Sequence, residues 1–300
     1  MQHSWQAERT TSPEEALARI RARFPDLGAR SAQPMGEGWD NTAFLVDGRW
    51  VFRFPRRQIA VPLLEREARV LPRLASLLPL PIPAPRWFAP AGPGSEWPFA
   101  GYPLLDGVTA DRAALPDEER MAVAPSLGRF LAALHAIPVD GLNLPRDELA
   151  RTDFVQRRPR LEARLKEVAA AGVIDRPERV LDLFRGEPAG PPPRPVLVHG
   201  DLYSRHLLVA PDRALAGVID WGDVHAGDPG LDLMAVYSFL PPAARPLFFR
   251  VYGPADARTL RVARLRAAYH TVVLLGFAHE TGDEALLREA RTGLRNVLAE

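Results

Sequence analysis

Apolar and polar residues alternate with a period of two over much of the first hundred positions, and helical spacing takes over beyond residue 107. Ser12-Pro13-Glu14-Glu15 opens a helix with a capping hydroxyl, a proline in the first turn and acidic residues behind it, running to about Arg23. A short extended piece, Ala32–Met35, leads to a turn at Gly36-Glu37-Gly38 and then to the alternating run Thr42–Val46. Asp47-Gly48 forms a tight hairpin turn into a second run, Trp50–Phe54. Residues 63–78 carry apolar positions at helical spacing, with Pro72 expected to bend or break the helix. Arg86–Ala89 and Phe99–Tyr102 read as two more strands. An antiparallel sheet with one helix is thus expected over residues 30–102.

The second part is different in kind. Asp117–Ile137 is a helix, apolar nearly all round and therefore central. Further helices are expected over residues 146–171 and 176–185, followed by an exposed Pro-rich connector at 186–195. Leu197-Val198 is a buried strand, followed by a polar loop, a short strand pair and a second acidic loop. Asp228-Pro229 reads as a cap with proline at the first helical position, and the remainder to Glu300 is nearly all helical. No internal repeat is visible. The layout predicts an α+β protein of two lobes. A small antiparallel-sheet lobe occupies residues 1–103 and a large, mainly helical lobe residues 104–300, hinged near residues 103–107.

Three hundred residues suffice for two such domains. A net charge of +1 without a basic, aromatic-rich run argues against nucleic acid or a membrane surface as partner. There is no cysteine, which excludes disulfides and thiolate chemistry. The N-terminus lacks an apolar signal core, and the apolar run around Val272–Ala278 is too short to span a bilayer, so a cytoplasmic protein is expected. One compositional fact bears on chemistry. The chain has a single lysine, Lys166, among 38 Lys and Arg, so a lysine's role at a phosphate must fall to arginine, and a Walker-type Gly-Lys-Ser/Thr loop is excluded.

The densest signal is Leu197-Val-His-Gly-Asp-Leu-Tyr-Ser-Arg-His206 followed by Val218-Ile-Asp-Trp-Gly-Asp223. It delivers Asp201 and Asp220 to the ends of neighbouring β-segments. One carboxylate beside an acceptor hydroxyl and another on a metal is what phosphoryl transfer from a nucleotide requires. His199-Gly-Asp-Leu202 with Ile219-Asp-Trp221 resembles the aminoglycoside phosphotransferase family of protein-kinase-like antibiotic kinases, over about residues 30–295. Trp50-Val-Phe-Arg-Phe-Pro-Arg-Arg57 and His206 are similar in detail to its macrolide phosphotransferase branch.

The resemblance implies an ATP- or GTP-dependent kinase of a small-molecule hydroxyl, with an aminoglycoside or macrolide antibiotic as acceptor. It makes Asp201 the catalytic carboxylate and Asp220 the Mg²⁺ ligand. By themselves, both also read as turn aspartates. His206 stands where most of the family has a metal-ligating asparagine; it either binds the metal, binds through water, or holds the loop. In this fold the third strand carries a phosphate-binding lysine paired with a helix glutamate. Arg53 is the candidate here, with Glu67 or else Glu65 as partner, against the plainer reading of a solvent-facing arginine. Gly36 and Gly38 either cover the phosphates with backbone amides or make an ordinary hairpin. Tyr102-Pro-Leu-Leu-Asp-Gly107 is the connector expected to meet the purine edge, with Leu104 or Leu105 as donor because Pro103 has no N–H.

Among the remaining polar residues, Trp221 and Gly222 read as packing and turn positions, Asp228 and Asp232 as structural, and His135 as a satisfied core histidine. Asp223 and His225 have no assigned task. The aromatic residues of the C-terminal helices outnumber the acidic ones there, chiefly Glu280, Asp283 and Glu284, which tilts towards an amphipathic acceptor. The same aromatic residues also read simply as helical core. Two rivals remain: a housekeeping kinase of a sugar or amino alcohol, and a nucleotide-binding pseudokinase scaffold.

Overall fold

The structure, a computed structural model, describes residues 7–38, 40–92, 95–186 and 194–299. Most of the Pro-rich connector, residues 187–193, lies outside them. The chain divides into two compact units, residues 1–105 with 220–222, and residues 106–219 with 223–300.

The first unit begins with α1 (Pro13–Arg23), whose cap Ser12 accepts from the Glu15 N–H as the sequence signature requires. Then come β1 (Ala32–Glu37), β2 (Asn41–Val46), β3 (Trp50–Pro55), α2 (Ala60–Leu74), β4 (Trp87–Ala89) and β5 (Phe99–Pro103). The five strands form one antiparallel sheet in the order β1-β2-β3-β5-β4. Gly36 lies inside β1, opposite Ala43 at a register shift, rather than in the turn; the turn is closed by the Gly38 N–H on the Asn41 carbonyl. Pro72 falls in the last turn of α2, which ends at Leu74. Strand alternation divides the side chains between two faces. Phe44, Val46, Phe52, Phe54 and Phe99 pack on Ala16 and Ile20 of α1, whereas Leu64 of α2 packs with Ala100 and Tyr102.

The second unit holds β6 (Val108–Thr109), α3 (Ala110–Ala113), α4 (Asp117–Ala136), α5 (Phe154–Ala170) and α6 (Pro177–Leu183). They are followed by β7 (Val196–Val198), β8 (Leu207–Val209), β9 (Leu215–Val218), β10 (His225–Gly227), α7 (Gly230–Ser238), α8 (Arg245–Tyr252), α9 (Ala257–Thr281) and α10 (Glu284–Leu298). β7 pairs with β10, and β6, β8 and β9 make a small antiparallel sheet. The centre is α9, buried on nearly every side and packed by α5, α7 and α10. No helix of the described residues is long and apolar enough to cross a membrane.

Helix α5 starts at Phe154, not near residue 146. The Asp147 carboxylate takes the backbone N–H groups of Leu149 and Arg151, and Ala150 adopts φ +46°, so local side-chain bonds displace the helix until Asp153 caps it. Helix α7 likewise begins after Pro229, with the Asp228 carboxylate accepting from the Gly230 N–H.

Candidate active site

In the sheet unit, the alternation that sends Phe52 and Phe54 towards α1 sends Arg53 to the face of α2. Its cross-strand neighbours are Ala43 and Ala100, two small residues that leave room for a guanidinium. Arg53 Nη1 donates to both oxygens of Glu67, at 3.1 and 2.9 Å, and Glu67 is almost wholly buried. The Tyr102 hydroxyl donates to the same carboxylate at 3.0 Å. The partner of Arg53 is thus Glu67, one of the two candidates; helix register settles it. Arg53 Nη2 reaches Asp220 Oδ1 at 3.3 Å. Burial alone would pull the Arg53 guanidinium down, but Glu67 and then Asp220 outweigh it and raise its pKa.

Asp220 itself has φ +63°, a left-handed backbone unusual for a residue with a Cβ, and its side chain is half exposed. The Gly222 carbonyl accepts from Arg66 of α2, so the segment 220–222 is held to β3 through Asp220 and to α2 through Gly222. The N–H of Leu104 donates to the Arg49 carbonyl at 2.9 Å. Of the two candidate donors, Leu104 is thus the one whose N–H is engaged by the sheet. Tyr102 meets Glu67 through its hydroxyl and sits within the β3–β5 ladder opposite Val51.

In the helical unit, the buried strand β7 runs into a loop pinned by one residue. Asp232, fully buried at the start of α7, accepts the N–H of His199 on Oδ2 and that of Gly200 on Oδ1, both at 2.8 Å. His135 Nε2 adds a third contact at 3.2 Å. Gly200 has φ +88°, and a Cβ there would lie 2.5 Å from the Asp223 carbonyl oxygen, so only glycine fits. His199 bridges outward and back: its Nε2–H donates to the Ile219 carbonyl while its Nδ1 accepts from the Asp201 N–H at 3.3 Å. Burial keeps that imidazole neutral by lowering its pKa. His206 Nδ1–H donates to the Asp201 carbonyl at 2.7 Å, which puts the other ring lone pair on Nε2. The result is a rigid loop that presents the Asp201 carboxylate.

Three cationic or titratable groups surround that carboxylate. His270 Nε2 stands 3.4 Å from Oδ1, Arg266 Nη2 3.7 Å from Oδ1, and His206 Nδ1 3.9 Å from Oδ2. Burial works to raise Asp201, but His270, His206, Arg266 and Arg151 together hold it below its ordinary value. Asp201 is the base form at neutral pH. Arg151 is itself held by Asp147 and Asp223. Among the described residues, no group of three or more His, Asp and Glu is set to hold a metal ion.

Sequence reasoning missed Arg266, His270, Arg151 and the task of Asp223. The available signal was Arg266 and His270 themselves, two polar residues one turn apart in the middle of a long, largely buried helix. Of the C-terminal aromatic residues, Phe239 and Phe248 are core residues, the plainer of their two readings. Glu280 pairs with Arg164, and Asp283 caps α10 and pairs with Arg205.

Comparison with known proteins places these features in context. A model described as the phosphotransferase enzyme family matches residues 31–267. Viomycin phosphotransferase of Streptomyces vinaceus is 26% identical over 265 residues, covering 84% of this chain and 88% of that protein. A mutant aminoglycoside 2′-phosphotransferase of type IIIa in complex with GDP superposes with a TM-score of 0.72 at 25% identity, covering 95% of this chain and 97% of that one. A macrolide 2′-phosphotransferase from Brachybacterium faecium gives 0.62 at 26% identity, covering 93% and 98%. Identity is level between the two branches, so the comparisons express no preference for the macrolide branch.

Proposed function

Because the chain belongs to the phosphotransferase enzyme family, we propose that it transfers the γ-phosphate of ATP or GTP to a hydroxyl of a small molecule. The observation that carries this reading is the Asp201 loop. It is an ionised carboxylate fixed by Asp232 through two backbone N–H groups and by its own contacts to His199 and His206. Such a group aligns the acceptor hydroxyl and receives its proton. In the same proposal Arg53, braced by Glu67 and Tyr102, steadies the nucleotide phosphates. Gly36, Gly38 and Leu105 would contribute backbone groups to the nucleotide.

The donor chemistry of two residues suits a divalent cation. Asp220 offers a half-exposed carboxylate, the hard oxygen donor that Mg²⁺ favours, and His206 a nitrogen on Nε2. When bound, the cation would neutralise phosphate charge. Catalysis is otherwise positioning and electrostatics, with no covalent enzyme intermediate.

For the acceptor, an aminoglycoside or macrolide antibiotic follows from the family. One observation favours acceptors of low positive charge: Glu280 and Asp283 are already committed to arginines and do not supply the surplus carboxylates a polycation needs. That supports a macrolide, or a sugar or amino-alcohol metabolite, over an aminoglycoside. The test is nucleoside diphosphate release from ATP and GTP with kanamycin, viomycin, a macrolide and simple sugars. Turnover with at least one acceptor, absent in Asp201→Asn, is expected. No phosphorylated product from any of them would leave a nucleotide-binding scaffold instead.

A further inference from the structure

The guanidinium of Arg266 is in an unusual position for a buried cation. Its side chain is only 7% exposed, yet among the described residues it makes no hydrogen bond, and its Nε is buried without a partner. Its nearest carboxylate oxygen, on Asp201, is 3.7 Å away. Burial drags its pKa to about 10, with Asp201 offsetting only part of the loss. Other arginines of this unit at similar depth are saturated. Arg120 donates to two backbone carbonyls and to both oxygens of Glu289, and Arg151 is held by Asp147 and Asp223. A desolvated guanidinium with five donors and an incomplete counter-charge is costly to keep.

The proposed reaction makes that deficit worse. When the acceptor oxygen bonds to the γ-phosphorus, the bond from phosphorus to the bridging oxygen breaks and the diphosphate leaves with its electrons. The hydroxyl proton passes to Asp201, and neutral Asp201 no longer balances Arg266. Asp223 cannot take over, since Arg151 already holds it. An anionic oxygen arriving beside Arg266 as Asp201 is protonated would restore the balance.

We propose that Arg266, with His270 one turn further along α9, forms an oxyanion-binding site next to Asp201. Its ligand is a phosphoryl oxygen of the transferring group or a carboxylate on the acceptor. This deepens the kinase reading and rests on it for the ligand's source, but the site itself is measurable without turnover.

The test uses the full chain saturated with GDP, so that the nucleotide's own phosphate contacts are occupied, and titrates inorganic phosphate by calorimetry. Phosphate should bind the parent protein and bind Arg266→Gln about tenfold or more weakly, with Arg266→Lys in between. Asp201→Asn removes the competing carboxylate and should tighten phosphate several-fold, an effect that a purely structural arginine does not produce. Equal phosphate affinity in the parent and Arg266→Gln, both folded by their Tm, overturns the site; so does weaker binding in Asp201→Asn. Should Arg266→Gln not fold, Arg266→Lys and Asp201→Asn decide. Turnover then separates the sources. A loss in Arg266→Gln shared by neutral acceptors and by the carboxylate-bearing alcohol glycerate identifies the phosphoryl group, and a loss confined to glycerate identifies the acceptor. If no acceptor turns over, the kinase reading fails while the phosphate titration still judges Arg266.

Discussion

Arg53, partly buried, and Arg266, buried, are both arginines near a carboxylate implicated in chemistry, and they are supported in opposite ways. Arg53 is nearly saturated: Glu67 takes its Nη1 at two oxygens, Tyr102 braces Glu67, and Asp220 takes Nη2. Arg266 has a carboxylate at 3.7 Å and, among the described residues, no hydrogen bond. The first network is largely made within the protein before any ligand arrives, which holds Arg53 in place for the phosphates of the proposed function. The second has donor capacity left over. Among buried charges, the incompletely satisfied one is the better pointer to a ligand.

The largest effect expected is at the carboxylate beside the unsaturated arginine. Asp201→Asn should keep the fold and nucleotide affinity while phosphoryl transfer falls on the order of 10²–10⁴-fold. Activity within threefold of the parent would detach Asp201 from the acceptor. On the saturated side, Arg53→Ala should weaken the nucleoside triphosphate roughly 10–100-fold, the value of charge-assisted bonds to phosphate, while leaving the nucleoside nearly unchanged. Equal losses by calorimetry would mean that Arg53 only braces the unit, through the Glu67 it leaves unpaired.

A pH series sharpens the contrast, because the helical unit is where neutral imidazoles are buried. Burial lowers His270 from 6.5 to about 4, and it lowers His199 and His225 as well. Below about pH 6.5 the unfolded chain takes up protons that these folded rings refuse, so stability should fall as pH drops from 6.5 towards 4. The Tm at pH 5 should lie below that at pH 7.5, and His270→Gln should narrow the gap. A Tm that rises on acidification would contradict the buried neutral rings. The smallest effect concerns the metal. If His206 Nε2 is a ligand, Mn²⁺ or Co²⁺ should support turnover at least as well as Mg²⁺, and His206→Asn should shift the preference a few-fold towards Mg²⁺. An unchanged metal profile would confine His206 to its bond with the Asp201 carbonyl.

The same contrast explains what could be read in advance. Arg53 was visible because strand alternation fixes which face a residue takes, and a lone arginine between two phenylalanines stands out. Its partner needed the helix register, which spacing alone left open between Glu65 and Glu67. Arg266 and His270 were hidden by their setting: α9 also carries Arg258, Arg261 and Arg264, and spacing does not tell which of its polar residues converge on a loop 65 residues earlier in the chain. The late start of α5 had a third cause. Asp147 competes for backbone donors over a few residues, a local contest that apolar spacing does not register.

Asp232 carries a consequence of its own. It never approaches the chemistry, yet its two oxygens are the meeting point of the His199 and Gly200 amides and the His135 ring. All three neighbours bring hydrogens and none brings a lone pair, so tolerance at this position is governed by electron pairs rather than by size. Asparagine has almost the same shape, but it would turn one face into a second donor pointing at a donor. The posture of the reactive loop therefore depends on a single atom's identity in a helix behind it.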